Sequence, residues 1–317
     1  EAKVIEARTA ALRVETKIQA TRNTLRNQER AANNKAQKER ENEAQKELDR
    51  QQNLADQRQV LFNKKEDVLK INSHNVTREF ISNNLDKTWL IFNFSRLEES
   101  TMIEIVKNTK YSIIEYDYKL CNYRSLGKHL AATGDECDCT ELGTSGKIKK
   151  LFYSYAEKIW FMSEKQRKIF LEKIPTIKEE NTQVLSSVFL DGDLRFMESI
   201  SSNEKSSTYL ILSSNSWIKG TNECVEYARQ NSLEYELVKG LSYHELMIKL
   251  STSKGLIFRP LGGDTCPRIV IEAKLLGCDL ILNDNVEHKD EQWFSDQDMC
   301  MEYLKERTNV FWRSYEK

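Results

Sequence analysis

The chain has 317 residues, of which 39% are hydrophobic and 31% charged, with a formal net charge of −1. That balance excludes a strongly basic nucleic-acid binder, and the length points to about two domains. No apolar run approaches about 18 residues, so no membrane span is expected, and the amino terminus lacks the apolar core of a signal peptide. Seven irregularly spaced cysteines predict reduced thiols and a cytoplasmic setting. The chain begins with Glu1 rather than Met, as a segment of something longer would.

Residues 1–75 differ in composition from the rest of the chain. The first glycine is Gly127 and the first proline Pro175. Val4, Ala11, Ile18 and Leu25 recur every seventh residue, with Ala7 and Val14 between them, as an a/d seam. A second seam runs through Leu48, Ala55, Phe62 and Leu69, shouldered by Leu54, Leu61 and Val68. Residues 1–70 hold 16 Lys and Arg against 12 Asp and Glu. Such mixed charge suits a solvated helix better than a phosphate-binding arm. A long helical or coiled-coil segment over 1–75 is predicted, with self-association a possible use and a lone helix the alternative.

From 83 to 190 the pattern is α/β. Strands are expected over Trp89–Phe94, Tyr111–Tyr118, Ile159–Met162 and Thr182–Phe189. Helices are expected over Ser100–Lys107, with Met102, Ile103 and Val106 inside, and over Glu164–Ile174, capped by Ser163 and closed by Pro175. Polar residues just beyond a strand of an open α/β sheet are where ligands bind. Tyr116, Asp117, Tyr118 and Arg124 are therefore acceptor-side candidates, with an ordinary surface turn as the alternative. His129 joins them from the polar loop Gly127–Gly146, which also holds Cys137 and Cys139. With only Cys121 nearby as a fourth ligand, the spacing matches no common zinc pattern, and no metal site is expected.

Residues 191–205 read as a helix and linker, and 207–317 as a second lobe. Tyr209–Leu212, Leu233–Val238, Gly255–Phe258 and Leu280–Leu282 are expected strands. Helices are expected over Thr221–Gln230 and over Ser242–Leu250, and 296–317 forms closing helices with Met299, Tyr303 and Leu304 packed back. The organising stretch is Arg259–Asn285. Pro260 ends a buried strand, and Gly262-Gly263 permit backbone angles closed to other residues. Thr265 is a plausible N-cap, Pro267 lies in the first turn, and Gly277 is the C-cap of a helix carrying Ile269, Val270, Ala273 and Leu276. This strand–loop–helix puts amide groups and a helix dipole at a sheet edge, where anions bind. Asp264 and Glu272 frame it, and Lys219-Gly220 opens a helix at the same edge. Two readings stand level: the acids meet a ligand bearing hydroxyls and phosphates, or Asp264 caps the helix while Glu272 faces solvent. His288, alone on a polar loop, reads as a surface residue.

The second lobe, with its S-x-x-W-x-K-G and E-A helix, resembles the nucleotide-sugar lobe of retaining glycosyltransferases of the two-lobed GT-B architecture, family four, which includes glycogen and sucrose-phosphate synthases. Lys219-Gly220 resembles the K-G whose lysine contacts the donor diphosphate. Glu272-Ala273 resembles the second acid of the E-x7-E motif, which holds the donor ribose. Asp264 stands where the first acid, which contacts the sugar, belongs. Here Asp replaces Glu, and Ser213, Ser214 and Asn215 replace the usual Gly-Arg, leaving Arg259 or Arg268 to supply the second basic contact. The first lobe is short and lacks the usual glycine-rich loop. The resemblance covers 207–290 well, 85–190 loosely and the first 75 residues not at all.

It implies an α/β fold of two Rossmann-like lobes, with 83–190 on the acceptor side and 207–317 on the donor side. It implies retaining, metal-independent transfer from a UDP-, GDP- or ADP-sugar to a hydroxyl of a glycan or other acceptor, with no cofactor. Asp264 and Lys219 are the expected catalytic residues. Asn215, Lys219, Gly262, Gly263, Asp264, Thr265, Cys266, Arg268 and Glu272 are the expected donor contacts. The alternative is a non-catalytic structural or carbohydrate-binding protein with a degenerate transferase lobe on a coiled-coil stalk.

Overall fold

A computed structural model describes residues 61–62 and 68–315. The first heptad seam, and Leu48, Leu54 and Ala55 of the second, lie outside the described residues. The expected α/β class with two Rossmann-like lobes is what the chain adopts. A short helix α1 (Arg78–Ser82), capped by the Thr77 hydroxyl, leads into the first sheet. Then come β1 (Thr88–Ile91), α2 (Glu99–Asn108), β2 (Lys110–Glu115), α3 (Leu126–Thr133), α4 (Gly143–Ser154), β3 (Ile159–Phe161), α5 (Glu164–Lys173) and β4 (Thr182–Val184). The second lobe contains α6 (Asp191–Ile200), β5 (Tyr209–Leu212), α7 (Thr221–Gln230), β6 (Tyr235–Val238), α8 (Tyr243–Thr252), β7 (Gly255–Phe258), α9 (Arg268–Leu275) and β8 (Asp279–Leu282); α10 (Gln297–Tyr315) closes the described chain. Both sheets are wholly parallel, ordered β1-β2-β3-β4 and β6-β5-β7-β8.

Parallel strands covered on both faces are apolar without alternation, and successive residues divide between two cores. Ile113 of β2 faces α2 and α4 with Phe152 and Tyr111, whereas Ile114 joins Trp160 and Met162 in a core shared by both lobes. In the second sheet Ile211 and Ile257 pack under α7 with Cys224 and Ala228, and Leu210, Leu256 and Phe258 enter the shared core. Helix α10 completes that core from the far end of the chain. Phe311 lies 4.8 Å from Trp160, and the Trp160 indole donates to Ser314 Oγ at 3.1 Å. Leu61 and Phe62, members of the second seam, pack here too, with the Phe62 ring 5.9 Å from Phe92 and 5.3 Å from Trp312. At these two positions the heptad pattern marks docking onto the chain's own sheet.

Several elements differ from expectation for identifiable reasons. The segment expected as a loop, Gly127–Gly146, holds most of α3 and the first turn of α4. Ser125 caps α3 by accepting from the Lys128 amide, and Gly134, at φ 81°, ends it. The buried face of α2 is Thr101, Met102 and Ile105 rather than Met102, Ile103 and Val106. Strand β4 stops at Val184, five residues short of Phe189. On α10, Leu304 is buried and Tyr303 stacks on Trp293 at 4.6 Å, but Met299 is exposed. Ser163 and Ser242 cap as expected, Ser242 within a capping box with Glu245. All seven cysteines are free and buried. Among the described residues no helix is long and apolar enough to cross a membrane.

Candidate functional site

The order β6-β5-β7-β8 makes a topological switch point between β5 and β7, where the chain leaves the sheet in opposite directions and opens a crevice at the carboxyl ends of the strands. The loops after β5 and β7 meet there. Gly220 lets them touch: it sits at φ 61°, and a Cβ on it would lie 2.3 Å from the Arg259 carbonyl oxygen. The Leu261 amide donates to the Ile218 carbonyl at 3.1 Å. This contact brings Lys219 Nζ to 2.8 Å from Asp264 Oδ2 and to 5.3 Å from the centre of the Phe258 ring. The Lys219 side chain is 34% exposed and that of Asp264 15%, so the pair lines the crevice wall with a face to solvent. The Asp264 backbone is held from behind, its amide donating to Asn285 O at 2.8 Å and its carbonyl accepting from the Glu287 amide at 3.2 Å.

The next helix, α9, starts later than expected. Its N-cap is Pro267, which offers no side-chain cap, and the Val270 amide donates to the Pro267 carbonyl at 3.1 Å. The Thr265 hydroxyl instead donates to the Tyr116 carbonyl of the first lobe at 2.8 Å, so Thr265 is not the N-cap. Cys266 is buried, and its carbonyl accepts from the Ser187 hydroxyl. Glu272 does not face solvent. It is 4% exposed and lies 3.5 Å from the Arg268 guanidinium, which stacks on Phe189. Burial raises the Glu272 carboxyl against the pull of Arg268. Asn215 is exposed on the loop after β5. The structure thus gathers Lys219, Gly262, Gly263 and Asp264 in one loop pair, and half-buried Arg268 with buried Glu272 as a second pair on α9.

The first-lobe candidates form the opposite wall, largely committed to one another and to the second lobe. Arg124 and Lys119 both pair with Asp117, Lys119 at 3.2 Å. Lys119 also binds Glu115 at 2.6 Å, with both side chains almost wholly buried. The Tyr118 hydroxyl donates to Glu287 Oε1 at 2.6 Å, and the Ser163 hydroxyl to Glu287 Oε2 at 2.9 Å. A Cβ on Gly263 would come within 2.4 Å of Glu287 Oε1, and one on Gly262 within 2.8 Å of Ser125 Oγ. The glycines therefore let the loop lie flush against Ser125 of the first lobe and against Glu287, which first-lobe Tyr118 and Ser163 hold. At the amino end of α5 the Glu164 amide donates to Glu291 Oε1 at 2.8 Å, a carboxylate placed where the helix dipole favours it. Beyond Glu287, a depression of about 1050 Å³ lies between α5 and residues 287–303, lined in part by Lys165, Lys168, Trp293 and Tyr303.

His129 belongs to another group. Its Nδ1 is 3.5 Å from both Cys121 Sγ and Cys139 Sγ. The sequence spacing indicated no ligand set, yet the fold gathers Cys121, His129, Cys137 and Cys139 with their ligand atoms all within 4.8 Å of one another. His288, read as a surface residue, is instead 0% exposed. It stacks on Trp293 and meets Phe294 edge-on. Among the described residues neither ring nitrogen has a hydrogen-bond partner, and burial pushes the imidazole down to about 4. Glu287, which clasps the lobes together with Tyr118 and Ser163, had no local signal in the sequence, and Ser163 was marked only as a helix cap, because this contact joins residues more than a hundred positions apart.

No protein-family model matches the chain, and no curated protein matches it in sequence. Solved structures do. The UDP-forming alpha,alpha-trehalose-phosphate synthase of Burkholderia xenovorans aligns over 81% of this chain and 81% of its own, at 8% identity and a TM-score of 0.46. HepE of Anabaena, solved with UDP and glucose, aligns over 73% of this chain and 75% of its own, at 10% identity and a TM-score of 0.40. UDP-N-acetylglucosamine 2-epimerase of Rickettsia bellii aligns over 74% and 71%, at 10% identity and a TM-score of 0.37. At such scores and identities these likenesses assign no activity to the chain.

Proposed function

We propose that this protein is a retaining, metal-independent glycosyltransferase that moves a sugar from a UDP-, GDP- or ADP-sugar to an acceptor hydroxyl. The observation that carries the reading is the Lys219–Asp264 pair, 2.8 Å apart at the switch point beside a helix start whose N-cap, Pro267, offers no side-chain cap. A departing diphosphate gains negative charge as the sugar–oxygen bond breaks. A lysine and preorganised amides at that position stabilise the charge without a metal. When the diphosphate takes Lys219, the Asp264 carboxylate is released to accept from sugar hydroxyls. Glu272, backed by Arg268, is assigned to the ribose and Arg268 to the second basic contact. No side chain serves as a covalent nucleophile; positioning supplies most of the catalysis. The acceptor enters from the wall of Tyr116, Asp117, Tyr118 and Arg124, in a cytoplasmic setting, with 1–75 as a self-association segment.

The second reading is a non-catalytic carbohydrate-binding or structural protein, and the observation on its side is how closely Glu287 and Ser125 approach the glycine loop, at 2.4 and 2.8 Å from a Cβ on Gly263 and Gly262. Thermal shift with UDP, GDP and ADP and their sugar conjugates separates the two. A nucleotide at 100 times its Kd adds about 2.7 kcal/mol of stability, and Lys219→Ala should remove that shift and abolish transfer while leaving the apo fold unchanged. No shift with any nucleotide would refute the transferase and leave the second reading.

A further inference from the structure

The thiol–imidazole cluster lies outside the crevice and has no part in the proposed transfer. It is built by one short stretch. A turn at Cys121, closed by its amide on the Tyr118 carbonyl at 2.9 Å, leads to Ser125 and α3. Helix α3 carries His129 one turn in. Gly134 reverses the chain, and Cys137 and Cys139 return to the same point as Cys-x-Cys. Gly146 of α4 makes room for the return: a Cβ there would stand 2.2 Å from the Cys139 carbonyl oxygen. The Lys173 ammonium fixes the Cys137 carbonyl at 3.1 Å. Cys121, His129, Cys137 and Cys139 are 1, 6, 8 and 6% exposed, so all four ligand groups face inward.

We infer that Cys121, His129, Cys137 and Cys139 bind one structural zinc ion. Three thiolates and one imidazole form a Cys₃His donor set, and a closed set of four protein ligands marks a structural rather than a catalytic site. Zinc–sulfur bonds of about 2.3 Å and zinc–nitrogen bonds of about 2.0–2.1 Å put neighbouring S and N apices of a tetrahedron about 3.5 Å apart. The two sulfur-to-Nδ1 distances are both 3.5 Å. The ligating nitrogen is Nδ1, so the imidazole proton sits on Nε2.

Packing gives a second reason. Between Leu130 and Leu142 the buried side chains are those of Cys137, Cys139 and Thr140, while Leu130 and Leu142 themselves are 49% and 60% exposed. The segment turns thiols inward and leucines outward, which suits a metal cross-link and leaves little apolar core of its own. The zinc anchors the base of Ser125–Gly127, where a Cβ on Gly127 would lie 3.1 Å from the Gly262 Cα. It thereby fixes the first-lobe surface against which the glycine loop rests.

The test uses the full chain, purified with reductant and without chelator. Elemental analysis should give one zinc per chain, released by a mercurial thiol reagent into a chromogenic chelator. Cobalt chloride supplied in place of zinc should produce the intense visible absorption of a tetrahedral thiolate site. Cys137→Ser and Cys139→Ser should each lose most of the metal, whereas Cys300→Ser, a buried cysteine outside the cluster, should keep it. Folded wild-type chain that holds less than a tenth of an equivalent after incubation with zinc chloride would overturn the inference. So would metal content unchanged by the Cys137 and Cys139 variants, or a Cys137–Cys139 disulfide in metal-free native chain. Zinc content does not depend on nucleotide binding, so failure here is distinct from failure of the transferase reading.

Discussion

His288 offers the sharpest quantitative test of the packing beside Asp264. The perturbation is His288→Phe, which keeps an aromatic ring between Trp293 and Phe294 and removes the titratable nitrogens. In the folded chain burial holds the imidazole down to about 4, against an ordinary value of 6.5. As the pH falls below about 6.5 the unfolded chain takes up a proton that the folded chain refuses until about pH 4. The unfolded state binds more protons throughout that window, so stability drops as the pH falls through it. Each pH unit is worth about 1.4 kcal/mol, giving about 3 kcal/mol across the window. Buried Glu115, Glu272 and Glu287 and half-buried Glu291, raised by burial, run in the opposite sense and lose stability as the pH rises. They are common to both proteins and cancel in the comparison. Urea unfolding of wild type and variant between neutrality and about pH 4 should show wild type losing about 3 kcal/mol more than the variant. A stability difference that stays constant with pH would refute the reasoning, because an imidazole in contact with water titrates alike in both states.

Two further outcomes concern the site's supports. Glu115→Ala leaves the Lys119 ammonium, 3% exposed, with Asp117 at 3.2 Å as its one carboxylate partner among the described residues. Removing one member of a buried pair costs about 3–5 kcal/mol, read as a lower urea midpoint with an unchanged denaturant slope. Gly220→Ala introduces a Cβ at φ 61° only 2.3 Å from the Arg259 oxygen, so the two crevice loops must separate. It should lower stability by more than the roughly 1 kcal/mol typical of such backbone substitutions and weaken nucleotide binding as Lys219→Ala does; binding at wild-type strength would show that the loop contact does not set the Lys219 position.

What the sequence revealed depended on how local each signal was. The second lobe is punctuated by its own caps and breakers, Gly220, Ser242, Pro260 and Gly277, so its strands and helices could be read within a few residues. Lys219 and Asp264 were legible because both stand beside glycines at strand ends. The stretch 127–146 was misread because Gly127, Gly143 and Gly146 suggest a loop. Yet Gly146 sits inside α4 to admit the Cys139 carbonyl, a demand made by a neighbouring segment. Glu287 had no marking in its own neighbourhood, since its meaning lies in Tyr118 and Ser163. His288 was misassigned because polar neighbours in sequence hide the aromatic neighbours it has in space. The cluster Cys121–His129–Cys137–Cys139 escaped because helix α3, the element that folds those spacings together, was itself unseen.

The position of α10 bears on how the protein is made. Trp160 contacts residues 311–315, and the Leu61 carbonyl accepts from the Trp312 indole across 251 positions of sequence. A chain emerging from the ribosome can pair β1 to β4 early, but the cover over Trp160 stays incomplete until α10 is synthesised. Contacts of such separation form late, and apolar surface waiting for them is what chaperones bind and what aggregates. Completion of the first lobe thus waits on the synthesis of α10, and a nascent chain stalled before Gln297 would leave Trp160 without the cover of Phe311 and Tyr315.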